Sequence, residues 1–503
     1  MKNIKKYILL VVGVGMLATG CKKFGDFDDT NIDQTKVSKA ATKALLTYAM
    51  QKTQARGDQS TTQPAANTAA VTILSSSGAI FAQHLSEGPY LTVSPFNDAA
   101  STLNPSYYTF YSEILKNLNQ IITFATAGAQ EADPAANGSL KNQIAVARIM
   151  KAYVFWKITD RWGDIPYAEA LNSANITPKF SKQEDIYKDL FKELKEAVAQ
   201  MDGGSGPTGD IMFNGNMDTW KKFAATQRLL MALRLSKVYP NSGEFAATEF
   251  ASAIAATPIS ASETLTYRFD GGDPNNYNPW YNNYSISNRN DFAISKTLVD
   301  QMKNNGTGTD PRLPVYGEVL AGNQVVGLQF GVQVQVNIPN AYSRIGSTLR
   351  AAGAPAYIFT GAQVQFALAE GAKRGWIAGG DATAATYYNG GIDASLAQYG
   401  VSNPSFKTAA GIVYNPTTAI QQISTQRWIA LYLDGWEAWT EFRRTGFPTL
   451  VPGPNSQNGT NIPRRVGYPT ADQTTNRDSY NAALTQQGWS NNSINNRMWW
   501  DKL

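Results

Sequence analysis

Two glutamates in the C-terminal part of the chain have the type and spacing that acid–base chemistry requires. Glu437 and Glu441 are four residues apart, which places both carboxylates on one side of a helix. Two well-placed carboxyl groups are enough for glycoside hydrolysis. Arg443 and Arg444 follow directly, however, and acids at this spacing beside basic residues are usually solvated or ion-paired. The pattern favours ion pairing and leaves a lipid-anchored glycosidase as an alternative.

Histidine-dependent and cofactor-dependent chemistry finds little support in the sequence. His84 is the only histidine, so a catalytic triad or a multi-histidine metal site would depend on this one ring. Its neighbours Phe81 and Leu85 are apolar, which favours a packed side chain. The glycine-rich residues 204–209 lack the Lys and Ser/Thr of a phosphate-binding loop. The sequence therefore identifies no catalytic residue, no metal ligands and no cofactor.

Aromatic residues on predicted loops are the best candidates for ligand binding. Residues 270–290 are rich in turn formers and Asn, and residues 88–105 form a second irregular segment. Aromatic rings can stack on the apolar face of a sugar, while amides and charged groups pair with its hydroxyls. Alternatively, the rings fix the loops to the body or contact a partner protein. The predicted ligand-binding residues are Tyr277, Trp280, Tyr281, Tyr284, Arg289 and Asp291 in the first segment and Tyr90 and Phe96 in the second.

The N-terminus has the pattern of an export signal. Lysines precede an apolar run at residues 7–17, and the small residues 18–20 lead to Cys21, the only cysteine. The apolar run is about half the roughly 20 residues that a transmembrane helix needs. Residues 1–20 are therefore predicted to be a signal peptide. Residues 17–21 resemble a bacterial lipobox, which implies lipidation of Cys21; the alternative is a secreted protein cleaved after Gly20.

Composition excludes two further classes of protein. The sequence has 43% hydrophobic and 17% charged residues, which indicates a globular core. Removal of residues 1–20 takes away three lysines and leaves 41 basic and 39 acidic residues, a net charge of +2. A nearly neutral chain has no electrostatic footprint for nucleic acid. A single cysteine also rules out an intramolecular disulfide framework.

Apolar periodicity indicates a mainly α-helical domain. Residues 107–125, 186–201 and 220–238 carry apolar side chains at three- and four-residue spacing, and residues 144–156 are apolar on several faces. Residues 145–171 and 366–396 look like helix-turn-helix units of tetratricopeptide repeats. We predict a tetratricopeptide-like α-superhelix with long irregular loops, as a single domain over residues 39–503, preceded by a flexible acidic tether at residues 21–38.

Three local patterns give more specific predictions. Residues 330–338 alternate between apolar and polar types, which predicts a strand in a small β element. Asp164, after Trp162-Gly163, is predicted to cap the next helix. An aromatic stripe at helical spacing is predicted to be core rather than binding site, and it comprises Trp428, Tyr432, Trp436, Trp439 and Phe442.

Several segments together resemble the SusD/RagB-type family of outer-membrane nutrient-binding lipoproteins, in particular its SusD-like subgroup. The closest resemblance lies in residues 426–450 (QRWIALYLDGWEAWTEFRRTGFPTL). Further segments agree in the expected order over nearly the whole mature chain, namely residues 158–171 (ITDRWGDIPYAEAL), 294–313, 362–376 (AQVQFALAEGAKRGW), 462–469 and 498–501 (MWWD).

The resemblance implies a function without catalysis. Members of this family are binding proteins of Gram-negative, Bacteroidetes-type bacteria, held at the outer membrane by an N-terminal lipid and facing the cell exterior. They pair with a SusC-like TonB-dependent β-barrel transporter, over which they act as a hinged lid. Family ligands are often oligosaccharides, and some members bind peptides. The resemblance therefore implies a glycan-binding protein that delivers its ligand to a transporter, with a peptide-binding member as the alternative.

Overall fold

The computed structural model describes residues 40–54, 73–97, 104–126, 134–303, 309–334 and 338–502. The chain divides into Met1–Ala41 and Thr42–Leu503. Only residues 40 and 41 of the first unit are described. The predicted signal peptide, Cys21 and the tether at residues 21–38 lie outside the described residues.

The described part of the chain is mainly helical, as predicted. In chain order the α-helices are α1 (Thr42–Gln54), α2 (Ser76–Phe81), α3 (Asn104–Thr109), α4 (Lys116–Thr126), α5 (Leu140–Trp162), α6 (Gln183–Ala199), α7 (Met217–Arg234), α8 (Phe245–Ala255), α9 (Pro279–Tyr281), α10 (Lys296–Lys303), α11 (Leu313–Tyr316), α12 (Gly361–Lys373), α13 (Gly380–Gln398), α14 (Ala419–Ala430), α15 (Gly435–Thr445), α16 (Asp472–Thr475) and α17 (Arg477–Gln486). Two π-helical segments occupy Phe110–Leu115 and Asn282–Ile286. Short 3₁₀ turns lie at Pro134–Asn137, Pro274–Asn276 and Phe406–Thr408.

The predicted helices form where apolar side chains line one face or are enclosed on all sides. On α6, Ile186, Leu190 and Leu194 are almost fully buried, whereas α5 is buried on nearly every face. Asp164 is not the N-cap residue of α6, which is Lys182, but it bonds to the start of that helix from a distance: its Oδ1 accepts a hydrogen bond of 2.8 Å from the Gln183 amide. That bond satisfies one of the amides that a helix N-terminus leaves without a partner.

Consecutive helices pack against each other, including α4 on α5, α5 on α6, α7 on α8 and α12 on α13. The helix-turn-helix prediction for residues 366–396 is confirmed by α12 and α13. The prediction for residues 145–171 is wrong, because α5 continues to Trp162 and the next helix begins only at Gln183. Gly163 explains the break, because its φ of 89° lies in the left-handed region that ends a helix.

In the described ranges, the small β element consists of three two-stranded antiparallel sheets. They pair β1 (Leu85–Glu87) with β5 (Phe292–Ile294), β2 (Ile165–Pro166) with β3 (Phe180–Ser181), and β4 (Thr264–Tyr267) with β6 (Ala356–Thr360).

The strand predicted at residues 330–338 is wrong over its described part. Residues 330–334 form a turn and an extended loop, and residues 335–337 lie outside the described residues. The apolar members of the alternation pack on neighbouring loops instead: the Phe330 ring lies 5.8 Å from the Phe96 ring, and Ile338 packs with Ala293. The alternation of apolar and polar residues therefore reflects a loop with one buried side, and not a strand.

The predicted aromatic stripe lies in the core but spans two helices. Trp428 belongs to α14, while Trp436, Trp439 and Phe442 belong to α15, and all are buried. The chain turns between the helices, and the Asp434 carboxylate accepts a hydrogen bond of 3.4 Å from the Glu437 amide at the start of α15. The α15 helix begins at Gly435, where an added Cβ would lie 2.2 Å from the Ala79 nitrogen, so only glycine permits the close approach to α2.

Candidate functional site

The pairing of β1 with β5 brings the two predicted binding loops together. Glu87 at the end of β1 lies opposite Phe292 at the start of β5. In an antiparallel pair, the segment that leaves the first strand and the segment that enters the second lie at the same end. The Gly88 amide extends the pairing with a hydrogen bond of 2.9 Å to the Asp291 carbonyl. Residues 88–97 and 270–291 therefore meet at one end of this sheet.

Three predicted site residues come together at this end. The Tyr90 side chain is 59% exposed, and the Arg289 guanidinium lies 5.6 Å from the centre of its ring. Arg289 Nε donates a hydrogen bond of 2.6 Å to Asp291 Oδ2. An exposed aromatic face thus adjoins a hydrogen-bond donor and a carboxylate acceptor, which are the groups that a polyhydroxylated ring requires.

Tyr277 and Tyr281 form a second, partly exposed aromatic pair on the same loop. Their ring centres are 5.0 Å apart and their planes are nearly perpendicular, at 75°. Asn278 fixes the short helix α9 between them: its Oδ1 accepts from the Trp280 amide at 2.8 Å, and its Nδ2 donates to the Ala354 carbonyl at 2.8 Å. The pair is therefore held on a structured turn.

Trp280 and Phe96 lie in the interior and offer no ring face to solvent. Trp280 is 1% exposed and packs edge-on against Phe292, with ring centres 5.6 Å apart. Phe96 is 2% exposed and packs against the rings of Phe81 and Phe330. These two side chains fix their loops to the body, which is the alternative that the sequence had left open for them.

Tyr284 is partly exposed, and its hydroxyl and its ring are both held by neighbouring residues. Its hydroxyl donates a hydrogen bond of 2.7 Å to the Phe292 carbonyl, and the Arg350 guanidinium lies 5.1 Å from its ring centre. Burial raises the pKa of the Tyr284 hydroxyl above its ordinary value. Tyr284 is therefore a neutral, anchored side chain that is only partly exposed.

Glu87 organises the loop that carries Tyr90, and the sequence interpretation missed it. Its buried carboxylate accepts hydrogen bonds from the backbone amides of Thr92, Val93 and Ser94 and from the hydroxyls of Thr92 and Ser94. Hydrogen bonds to a charged acceptor are stronger than neutral ones. The sequence signal for this role was a single acidic residue, Glu87, followed by Thr92 and Ser94 in a turn-rich segment.

Arg344 joins a third segment to the site, and no sequence pattern indicated it. The side chain is 8% exposed. It donates from Nε to Asn290 Oδ1 at 2.8 Å and from Nη2 to the Ile338 carbonyl at 2.7 Å, and Nη1 contacts the Tyr342 carbonyl at 2.6 Å. Burial lowers the pKa of the Arg344 guanidinium below its ordinary value. Arg344 thereby fastens residues 338–344 to the loop that bears Arg289 and Asp291.

Several buried polar atoms of this loop have no hydrogen-bond partner. Within the described residues, Trp280 Nε1, both side-chain polar atoms of Asn283 and Ser287 Oγ have no partner. Native structures contain few such groups, and each calls for a structural or functional explanation. Asn283 belongs to the π-helical segment, a conformation that is frequent at functional sites.

The paired glutamates Glu437 and Glu441 do not form an active site. Glu437 contacts Arg234 Nη2 at 2.7 Å and Lys157 Nζ at 3.1 Å, and it is only 3% exposed. Burial alone would raise the pKa of Glu437, but Arg234, Lys157 and Arg427 hold it well below its usual range. A carboxyl that stays ionised at neutral pH cannot supply the proton that a glycosidase acid must donate.

Glu441 and His84 are likewise structural. Glu441 is fully buried and pairs with Arg427 at 3.0 Å and with Arg444 at 2.7 Å. These contacts confirm the preference for ion pairing. His84 is buried, with Nε2 at 3.1 Å from the Trp428 carbonyl oxygen, and burial lowers its pKa to about 3. It is a neutral, packed side chain, as its neighbours predicted.

Two wider features of the described residues bear on function. They contain no cluster of three or more His, Cys, Asp or Glu side chains that could hold a metal ion. In the same part of the chain, none of the helices combines the length and the apolar character that crossing a membrane requires.

Comparison with known proteins identifies the family. The SusD-like family model described as "Starch-binding associating with outer membrane" matches residues 34–469. A solved structure described as a chitin-binding protein is 30% identical and superposes with a TM-score of 0.73, over 92% of this chain and 100% of that one. A search of curated proteins finds no significant match.

Two further solved structures share the fold at lower identity. A SusD homologue from Bacteroides uniformis has 21% identity and a TM-score of 0.74, over 93% of this chain and all of the other. A chitin-binding SusD homologue from Flavobacterium johnsoniae has 23% identity and a TM-score of 0.72, over 92% of this chain and 98% of the other. The fold is thus the tetratricopeptide-like α-fold of SusD homologues. The chain belongs to the SusD-like family of nutrient-binding outer-membrane proteins, which are not enzymes.

Proposed function

We propose that this protein is a lipid-anchored receptor on the cell surface that captures an oligosaccharide and delivers it to a SusC-like TonB-dependent transporter, over which it acts as a lid. The observation that carries the proposal is the meeting of Tyr90, Arg289 and Asp291 at the end of the β1–β5 sheet, beside Tyr277 and Tyr281. Membership of the SusD-like family supports both the binding role and the outer-membrane location.

Sugar recognition in this proposal uses the exposed rings. Tyr90, Tyr277 and Tyr281 stack on sugar faces, while Arg289 donates to hydroxyls and Asp291 accepts from them. Trp280, Phe96 and Tyr284 contribute by holding the loops in place. A few aromatic contacts of about 0.5–1.5 kcal/mol each give modest affinity, which suits a ligand that must later be released.

Delivery requires no bond to be made or broken. Lipidation at Cys21 and a short tether at residues 21–38 would hold the domain beside its transporter, and movement of the domain would open and close the entrance. The ligand then passes to the transporter by a difference in affinity between the open and closed states.

Two glycans are the first probes of ligand identity. The relative with 30% identity is described as chitin-binding, and the family description names starch. We propose a chitin oligosaccharide as the primary ligand and an α-glucan oligosaccharide as the second choice. Both are neutral, in keeping with the mutual neutralisation of Arg289 and Asp291.

Isothermal titration with chitohexaose tests the proposal. We expect Tyr90→Ala and Tyr281→Ala each to weaken binding about tenfold, since loss of a stacking contact of about 1.4 kcal/mol changes the dissociation constant by that factor. Tyr48→Ala is the matched control, because Tyr48 is an exposed tyrosine on α1 and belongs to none of the binding loops. Binding of both glycans that survives unchanged in Tyr90→Ala and Tyr281→Ala would refute the chosen site.

Peptide binding is the second candidate, and one observation favours it. Ile286, in the π-helical segment of the same loop, is 53% exposed and offers an aliphatic contact that a sugar does not need. Titration with a pool of hydrophobic peptides discriminates the two ligands. Ile286→Ser should weaken peptide binding and leave oligosaccharide binding unchanged.

A further inference from the structure

A cleft lies on elements that do not belong to the proposed oligosaccharide site. Residues 497–502 near the C-terminus meet the beginning of α6 and the end of α17 there, around an open cavity of about 510 Å³. Small-molecule sites typically occupy roughly 300–1,000 Å³. No candidate residue of the first site lines this cavity.

Trp499 supplies the cleft with a partly exposed aromatic ring. Its neighbour Trp500 is fully buried, so that the two tryptophans of the MWWD segment have different environments. The Trp499 ring is held by Tyr187 and Tyr239, with ring centres 6.0 Å and 6.2 Å away. A flat ring fixed at the wall of a polar cleft is suited to stacking against a pyranose.

Glutamine side chains line the same cleft. Gln183 is buried and donates from Nε2 to the Thr159 carbonyl at 2.7 Å, while its Oε1 has no hydrogen-bond partner among the described residues. Gln486 donates from Nε2 to Asp164 Oδ2 at 2.5 Å. Gln486 is exposed, so its amide can pair with ligand hydroxyls.

The acidic groups of the cleft are already engaged, whereas two of its cations are not. Glu184 pairs with Lys188 at 2.6 Å, and Asp501 pairs with Arg497 at 2.9 Å and also with Arg464. The third acid of the cleft, the Asp164 carboxylate, accepts from the Gln183 amide and from Gln486.

Lys182 and Lys502 are the uncommitted cations. Both are exposed, and neither forms an ion pair within the part of the chain that the structure describes. The three acids of the cleft face its three cations and also Lys188 and Arg464, which gives five positive charges against three negative ones. This positive charge lies beside a stacking ring and hydrogen-bonding amides. A neutral sugar would use the ring and the amides alone, whereas an acidic sugar would use the lysines as well.

We propose that this cleft is a second binding site, for a uronic acid, in which the sugar ring stacks on Trp499 and its carboxylate contacts Lys182 and Lys502. Hydroxyl groups of the same sugar reach the exposed amide of Gln486. The site goes beyond the proposed oligosaccharide site, with which it shares no residue. It would let the protein hold a glycan that carries acidic residues at a point separate from its aromatic loops.

Saturation-transfer NMR with digalacturonic acid, and with cellobiose as the neutral disaccharide, tests the inference. We expect transfer to digalacturonic acid that is at least fivefold stronger than transfer to cellobiose. The double variant Lys182→Gln/Lys502→Gln should reduce the acidic signal at least fivefold, and Trp499→Ala should abolish it. Lys192→Gln is the matched control, because Lys192 lies on the same helix with 66% side-chain exposure and does not line the cleft.

Three results would overturn the inference: no transfer to digalacturonic acid in the native protein, equal transfer to the two disaccharides, or an unchanged signal in the double lysine variant. Should Trp499→Ala fail to fold, the double variant decides alone, because both lysines are exposed. Tyr281→Ala separates the two sites. It should retain digalacturonic acid binding whether or not the aromatic loops bind chitohexaose.

Discussion

Solvent exposure separates the aromatic side chains of the binding loops into two roles. Tyr90 is 59% exposed, whereas Phe96, six residues further on, is 2% exposed and packs in the core. A buried ring contributes to stability through the apolar area it removes from water, and an exposed ring retains a face for a ligand. Loop rigidity and ligand contact are thus provided by different residues of one segment.

Glu87 is the residue on which the shape of the first loop depends most. Each of its carboxylate oxygens accepts hydrogen bonds from backbone amides, Oε1 from Thr92 and Val93 and Oε2 from Val93 and Ser94. Glu87→Gln must place an NH₂ group against one of these donors. We expect a loss of about 1–3 kcal/mol in the free energy of unfolding, measured in urea, and weaker oligosaccharide binding.

The control for this prediction is Glu184→Gln. Glu184 pairs with Lys188 one turn along the same helix, and the two side chains are 36% and 47% exposed, so its replacement should cost about 1 kcal/mol or less. If Glu87→Gln were no more destabilising than Glu184→Gln, the loop would not depend on this carboxylate.

Part of the candidate site could be predicted from sequence at the level of residues. Tyr90, Arg289 and Asp291 stood out because aromatic and charged side chains occurred together in turn-rich segments, and the structure brings them together. Glu87 and Arg344 did not stand out, because their importance lies in hydrogen bonds to residues that only the fold brings near. The burial of Trp280 was equally invisible, since a loop has no periodicity that separates inside from outside.

At the level of elements, α15 illustrates how a helix with charged residues can be buried. Glu437 and Glu441 on this helix are enclosed by arginines from α7, α14 and α15 itself. Charges are costly to bury unless they are paired and hydrogen-bonded, and removal of one partner leaves the others uncompensated. The network therefore fixes how α15 sits among its neighbours.

Replacement of Glu437 tests this role and its pH dependence. Glu437→Gln should lower the free energy of unfolding by about 3–5 kcal/mol at pH 7, because Arg234 and Lys157 lose a buried counter-charge. The pKa of Glu437 is depressed in the folded state, so its contribution is fully present above the unfolded value of about 4.3 and is lost as the pH falls below it. Urea unfolding should show the gap between the two proteins narrowing by about 1.4 kcal/mol per pH unit below about 4.3.

Two controls test whether the effect of Glu437→Gln is specific to the buried ion-pair network. Glu196 on α6 is 48% exposed and pairs with Arg148. Glu196→Gln should therefore change the free energy of unfolding by about 1 kcal/mol or less, both at pH 7 and at pH 3.5. Folded Glu437→Gln should also bind oligosaccharide like the native protein, because the network touches none of the binding loops. A gap that stayed constant down to pH 3.5 would contradict the pKa argument.

Helices could be predicted from sequence more reliably than strands. Burial of one face of α6 or of all faces of α5 leaves a regular apolar period, which the sequence displays directly. The alternation at residues 330–338 carried the same kind of information about burial. It did not carry information about pairing, because its described part packs on neighbouring loops instead of joining a ladder. The position of β1 opposite β5, about 200 residues apart, depends on the tertiary fold.

At the scale of the whole molecule, a helical body supports loops that lie far apart in sequence. Residues 88–97, 277–291 and 338–344 are held together by the β1–β5 sheet and by Arg344. A site assembled in this way can change its ligand through loop residues while the helices keep their packing. This separation between a constant helical body and variable loops agrees with solved structures that share the fold at 19–30% identity.

The proposed anchor at Cys21 is distinct from the binding loops, and this can be tested in cells. Attachment at Cys21 would raise the effective concentration of the binding site beside its transporter without altering the site itself. Cys21→Ser should therefore move the protein from the membrane fraction to the soluble exported fraction and reduce uptake of labelled oligosaccharide. The dissociation constant of the purified protein should stay unchanged.

Tyr281→Ala should do the reverse, remaining in the membrane fraction while its dissociation constant rises. Full uptake by cells that carry only Cys21→Ser would show that capture does not depend on the anchor, and retention of this variant in the membrane fraction would show that Cys21 is not the point of attachment.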